Sequence, residues 1–159
     1  MPLPTDYLPT DDLPLSRARI VFPLGKESVY GFRINNYDDE SYDPYMPIVR
    51  LFGTPLVVVS DNGHQGDTRV LLRDGKHYGV VVFGFGSCSG CDALQACTTF
   101  EDVDRLIDEL ESNVQWFDTL SDAQTYVAFD ADRYLSFYRH CNEWADFKQQ
   151  VLALSDTFA

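Results

Sequence analysis

Three things are scarce in this chain: long apolar runs, positive charge, and histidine. The longest apolar stretch, Gly79 to Gly86, is strand-sized, while a membrane span needs roughly 18 such residues. The opening Met1-Pro2-Leu3-Pro4-Thr5-Asp6 has neither the basic start nor the apolar run of an export signal. The expectation is an unexported, cytoplasmic protein whose thiols stay reduced. Lys and Arg total 12 against 25 Asp and Glu, a net charge of −13. Such a surface repels phosphate backbones and anionic lipid, so direct binding to nucleic acid or to a membrane is not expected. A basic protein partner is favoured. With 3 His and no Ser/His/Asp order or His-rich zinc motif, nothing points to hydrolase or transferase chemistry, and the expected function is non-enzymatic.

What is present suits one folded domain of 159 residues, long enough to bury about 70% of the surface its unfolded chain exposes. Met1 to Leu15 is Pro-rich and acidic and reads as an extended arm. Arg19 to Phe22 and Ser28 to Ile34 read as short strands, and Asn35 to Pro47 as an aromatic, acidic loop. Pro55 to Ser60, Thr68 to Leu72 and His77 to Phe85 read as an antiparallel meander, with Asp61-Asn62-Gly63 and Asp74-Gly75 as turns. After Gly90 the hydrophobic period changes to 3.6. A short helix is expected over Cys91 to Cys97. Thr98 and Glu101 then match a capping box for a helix with Val103, Leu106, Ile107, Leu110 and Val114 on one face. Val114 to Phe117 reads as a short strand. Ser121 and Gln124 form a second box, opening a helix to about Phe129, and a last helix runs from Asp132 to about Leu154. The fold class is α+β: an antiparallel meander sheet from the N-terminal half, covered by C-terminal helices.

Chemistry concentrates where a strand enters Gly84-Phe85-Gly86-Ser87-Cys88-Ser89-Gly90-Cys91-Asp92-Ala93-Leu94-Gln95-Ala96-Cys97. Three readings stay open. Cys88 and Cys91 have the spacing that grips one zinc ion, with Cys97 and Cys141 able to complete four ligands. A second Cys-x-x-Cys pair is missing. Alternatively the pair is a redox dithiol, although no βαβ unit precedes it and no proline follows Cys97. In the third reading the cysteines only pack, and the glycines allow a tight turn. Three glycines around one turn predict a positive φ at Gly84, Gly86 or Gly90.

The string from Gly86 to Cys97, following a strand with Tyr78-Gly79, resembles a family of uncharacterised proteins encoded mainly by tailed bacteriophages. Gln65-Gly66-Asp67 and the aromatic pair Trp116-Phe117 after an acidic helix fit the same resemblance, although Phe85 stands where that family commonly has Trp. The resemblance covers roughly Asp61 to Phe117. It implies a phage origin and action in the host cytosol, and it implies no particular chemistry.

Other clusters are weaker. Gly84, Gly86 and Gly90 fit neither the dinucleotide fingerprint nor the Walker loop. Asp38, Asp39, Glu40 and Asp43 lack the ligand order of an EF-hand. The interleaved Tyr37, Tyr42 and Tyr45 either serve protein recognition or pack back on the domain. His64 sits between Asp61 and Asp67, as a general base or within a polar hairpin loop.

Charge is uneven. Glu101 to Asp132 holds ten acidic residues and one basic residue, Arg105, a net −9. Glu101, Asp104, Asp108 and Glu111 lie opposite the apolar face of the helix and are expected in solvent. Successive helical residues rise about 1.5 Å, so the six acids from Glu101 to Glu111 reach a linear charge density comparable with that of DNA, and Asp118, Asp122, Asp130 and Asp132 are candidates for the second row of charge that mimicry of DNA needs. The resulting expectation is a small acidic phage-type protein that binds and modulates a host or phage protein, for example by inhibiting a nucleic-acid-binding or defence protein. Glu101, Asp104, Asp108, Glu111, Tyr37, Tyr42 and Tyr45 would form the contact. The alternative is a zinc- or thiol-dependent protein using Cys88 and Cys91.

Overall fold

The computed structural model describes residues 16–22, 27–28, 31–32, 44–63, 65–86, 92–130 and 142–155. In chain order the elements are α1 (Arg17–Val21), β1 (Glu27–Ser28), β2 (Gly31–Phe32), α2 (Met46–Phe52), β3 (Thr54–Ser60), β4 (Gly66–Asp74), β5 (His77–Phe85), α3 (Phe100–Ser112), β6 (Gln115–Phe117), α4 (Leu120–Thr125), a π-helical turn (Tyr126–Asp130) and α5 (Asn142–Leu152). Strands β3-β4-β5-β6 form one antiparallel sheet in sequence order, and β1 and β2 form a separate two-residue pairing. The protein is α+β, and its central sheet is the expected meander.

The sheet carries helices on both faces. Val70, Leu72, Val81 and Phe83 face a layer that includes Ala18 of α1, Ile48, Val49 and Phe52 of α2, and Val103, Leu106, Ile107 and Leu110 of α3. The alternate residues Leu71, Tyr78 and Val80, with Val57 and Val59, face Leu120, Ala123, Val127, Trp144, Phe147 and Val151. The period-2 geometry of a strand divides the two layers, and each buried Val or Leu stabilises the fold by about 1.5–3 kcal/mol. Cover therefore comes from both ends of the chain, not from the C-terminal helices alone.

Between β4 and β5, Asp74 pairs with His77, so the loop is Gly75-Lys76, one residue later than expected. Gly75 has φ 58°, and no described non-glycine residue has a positive φ. A glycine in the first loop position suits a type II′ hairpin. At Gly79 a Cβ would stand 2.7 Å from Val114 Cγ1 and 2.9 Å from Trp116 Cζ3. The missing side chain is what lets the Trp116 indole lie against the sheet. Leu56 has no partner where β3 pairs with β4, a bulge that brings Leu56 alongside Val57 toward the second layer.

Several local expectations are corrected. Arg19 to Phe22 falls in or just after a helix, because Ser16 caps α1 through Arg19 N–H and Ala18 buries. Ser28 to Ile34 gives only fragments of β1 and β2 among the described residues. Met46-Pro47 opens α2, with proline tolerated in its first turn. The caps lie elsewhere than expected: Thr99 with Asp102 for α3, and Thr119 with Asp122 for α4. Ala93 to Ala96 forms a turn, not a helix. Gly63 and Gly75 hold the positive φ values among the described residues, so Gly84 and Gly86 do not, and Gly90 lies outside those residues.

Candidate interaction surface and the base of the cysteine segment

Asp92 explains the turn. Its Oδ1 accepts hydrogen bonds from Leu94 N at 3.0 Å and Gln95 N at 3.1 Å. An aspartate that caps its own following backbone competes with helix formation. The same oxygen accepts the Tyr45 hydroxyl at 2.7 Å, and Oδ2 accepts Gly86 N at 3.0 Å. Gln95 Nε2 returns to Gly86 O at 2.8 Å. Gly86 and Asp92 are thus tied together across the stretch that carries Cys88 and Cys91. Those two cysteines, with Cys141, lie outside the described residues.

Cys97 is only 5% exposed. Its sulfur donates to Ala93 O at 3.3 Å. Burial first, then the nearby Asp102 and Asp92 carboxylates, pushes the thiol up to about 11. Such a group is a protonated core thiol at neutral pH. Among the described residues no group of three or more His, Cys, Asp or Glu could hold a metal ion.

Tyr45 is a buried residue. It packs on Phe83 with ring centroids 4.8 Å apart. Burial, followed by the hydrogen bond to Asp92, lifts its hydroxyl well above the ordinary tyrosine range, so it remains a donor. It therefore contributes to the core and not to a contact surface. Tyr37 and Tyr42 lie outside the described residues.

The acidic face of α3 is partly spoken for within the chain. Asp104 accepts Ser16 Oγ and Ala18 N, both at 2.8 Å. Arg17 spans Asp108 at 2.5 Å and Glu111 at 2.6 Å. The expectation that all four acids face open solvent is corrected for Asp104, which anchors α1. Asp108 and Glu111 stay 73% and 48% exposed while gripping Arg17. Glu101 and Glu109 are exposed and form no ion pair among the described residues. Asp102 is a capping group: Thr98 N–H, then the Thr98 hydroxyl, Arg105 and Thr99, hold its carboxyl well below the usual range.

Sequence reasoning named Asp118 and Asp122 only as a second row of charge and missed the end of the sheet, with Trp116, as a surface. Trp116 is 40% exposed on β6, followed by Asp118, 90% exposed, and Asp122. An aromatic pair running into an aspartate was the available signal. The His64 reading is weakened by its neighbour. Asp61 uses one oxygen for Arg69 at 2.7 Å and the other for Asp67 N at 2.8 Å. Arg69 is fully buried, 5.4 Å from the Trp144 ring centroid. Asp61 therefore orders the hairpin and neutralises a buried cation. His64 itself lies outside the described residues.

No family model, curated protein or solved structure matches this chain. Among the described residues no helix is long and apolar enough to cross a membrane.

Proposed function

We propose that this protein binds a basic protein partner through its acidic surface and modulates that partner's activity. The observation that carries the reading is the grip of Asp108 and Glu111 on Arg17. Two exposed carboxylates spaced three residues apart on one helix face receive a single guanidinium, so this face already holds a cation within its own chain. Glu101 and Glu109 are further exposed acids of α3, and Asp118 and Asp122 are exposed where β6 leads into α4. They are the groups left for a partner once α1 has used Asp104, Asp108 and Glu111. In the phage setting that the cysteine string suggests, the partner is a host or phage protein. One that binds nucleic acid fits the charge, since its basic surface is built to meet phosphates and an acidic protein competes for it.

The test is affinity capture from bacterial lysate at 50 mM and 300 mM salt, followed by titration with the purified captured protein. The wild type is compared with a variant carrying Glu101→Gln, Glu109→Gln, Asp118→Asn and Asp122→Asn. These four are chosen because neutralising Asp104, Asp108 or Glu111 would also detach α1. Salt-sensitive binding that the variant loses supports the reading. Equal affinity in both proteins contradicts it.

A further inference from the structure

A groove of about 410 Å³ is lined by Trp116, Phe117, Asp118, Asp122, Thr125 and Tyr126. Consecutive strand residues send their side chains to opposite faces. A hollow bordered by both Trp116 and Phe117 therefore opens on the edge of β6, not on one face of the sheet. β6 ends the strand order, and among the described residues no strand pairs with its outer side. An open edge presents backbone N–H and C=O groups in the pattern that accepts another strand.

The aromatic walls are held in place. Gly79 makes room for the Trp116 indole, and the Phe117 and Tyr126 ring centroids stand 5.0 Å apart. Rigid, part-exposed aromatics are the usual anchors of protein recognition. Asp118 and Asp122 give the groove its charge, and the His77 imidazole lies beside them, its Nε2 3.4 Å from Asp118.

We propose that this edge takes an extended segment of a partner protein, bearing Lys or Arg at alternate positions, as an added strand beside β6. Backbone hydrogen bonds would supply the register and the side-chain alternation the specificity. A cation over Trp116 adds to the attraction. A second copy of this chain is disfavoured, since edge-to-edge pairing would set Asp118 and Asp122 against their own counterparts. This proposal rests on the reading that the acidic surface binds a basic protein.

The experiment titrates the full chain with nine-residue synthetic peptides. The probes are alternating Arg-Thr, the same peptide N-methylated at odd or at even positions, and alternating Glu-Thr. Emission of Trp116 reports binding, because the other of the 2 tryptophans, Trp144, is buried. The expected result is binding of Arg-Thr, a spectral change absent in Trp116→Phe, and none for Glu-Thr. One N-methylated register should bind at least tenfold more weakly than the other, and Asp118→Asn with Asp122→Asn should weaken binding at least tenfold. Equal binding of both registers, or binding untouched by those substitutions, overturns the strand-addition proposal. If Glu101→Gln with Glu109→Gln abolishes such binding instead, the acidic-surface reading stands without the groove. No Arg-Thr binding even at low salt overturns the strand-addition proposal, while salt-sensitive capture of a partner from lysate decides the acidic-surface reading separately.

Discussion

Replacing Asp92 should loosen the junction between the sheet and the cysteine segment. The Asp92 carboxylate receives four donors: the Tyr45 hydroxyl and the N–H groups of Leu94, Gln95 and Gly86. Hydrogen bonds to a carboxylate contribute about 1.5–3 kcal/mol each, and buried donors left unmet cost about 1–3 kcal/mol. The four share one acceptor group, so their contributions do not add. Asp92→Ala should cost about 3–5 kcal/mol, of the order of a typical total stability of 5–15 kcal/mol. Asp92→Asn can keep Oδ1 for three donors, but its amide then faces Gly86 N–H, and about 1–3 kcal/mol should be lost. At about 2–4 °C per kcal/mol for a chain of this size, the alanine variant should melt roughly 6–20 °C lower, and the asparagine variant between it and the wild type. Calorimetry on the two variants, with Tyr45→Phe and the double Tyr45→Phe/Asp92→Asn, completes the cycle. The tyrosine and aspartate effects should be strongly non-additive, because Tyr45 Oη both donates to Asp92 and accepts Leu94 N at 3.0 Å. A melting point within 2 °C of wild type for Asp92→Ala would refute the reasoning.

Alkaline pH should destabilise the same region. Cys97, raised to about 11, and Tyr45, raised above its ordinary range, both favour their neutral forms when folded. Their contribution is complete below the unfolded pKa, near 9 for the thiol, and is lost as pH rises through the folded value. The Cys97 part is about 2–3 kcal/mol. Melting temperatures followed from pH 8 to pH 11.5 should fall above pH 9, less steeply in Cys97→Ala, and parallel slopes would count against it. Asp61→Asn should cost about 3–5 kcal/mol by leaving the buried Arg69 without its carboxylate. Urea unfolding measures this, and a loss under 1 kcal/mol would mean that other contacts carry the guanidinium.

The meander was legible because β-branched runs and turn residues agree locally. β5 matches its expected bounds to the residue. The apolar face of α3 was equally legible from its spacing. Where the sequence misled, tertiary contact decided. Ile20-Val21 looks strand-like, yet the Ser16 cap and the docking of Ala18 on α3 make α1 helical. Asp92 looks like a helix-start acid, yet its bonds to Gly86 and Tyr45 make a turn, and Tyr45 is 47 residues away. The acids of α3 were identifiable as a surface, but nothing local shows that Arg17, 91 residues before Asp108, would return to them. The groove at β6 was invisible for a similar reason. It depends on which strand ends the sheet, and that is a property of the topology.

The most direct test of the central claim is the affinity of the captured basic partner as a function of salt. The Debye length falls from about 10 Å at 0.1 M to about 3 Å at 1 M, so contacts made by exposed carboxylates are screened over that range. If the acidic surface is the binding face, affinity should drop at least tenfold between 50 mM and 300 mM salt. The variant neutralised at Glu101, Glu109, Asp118 and Asp122 should bind weakly throughout, with a much flatter salt dependence. An affinity that ignores both salt and the four substitutions would contradict the account.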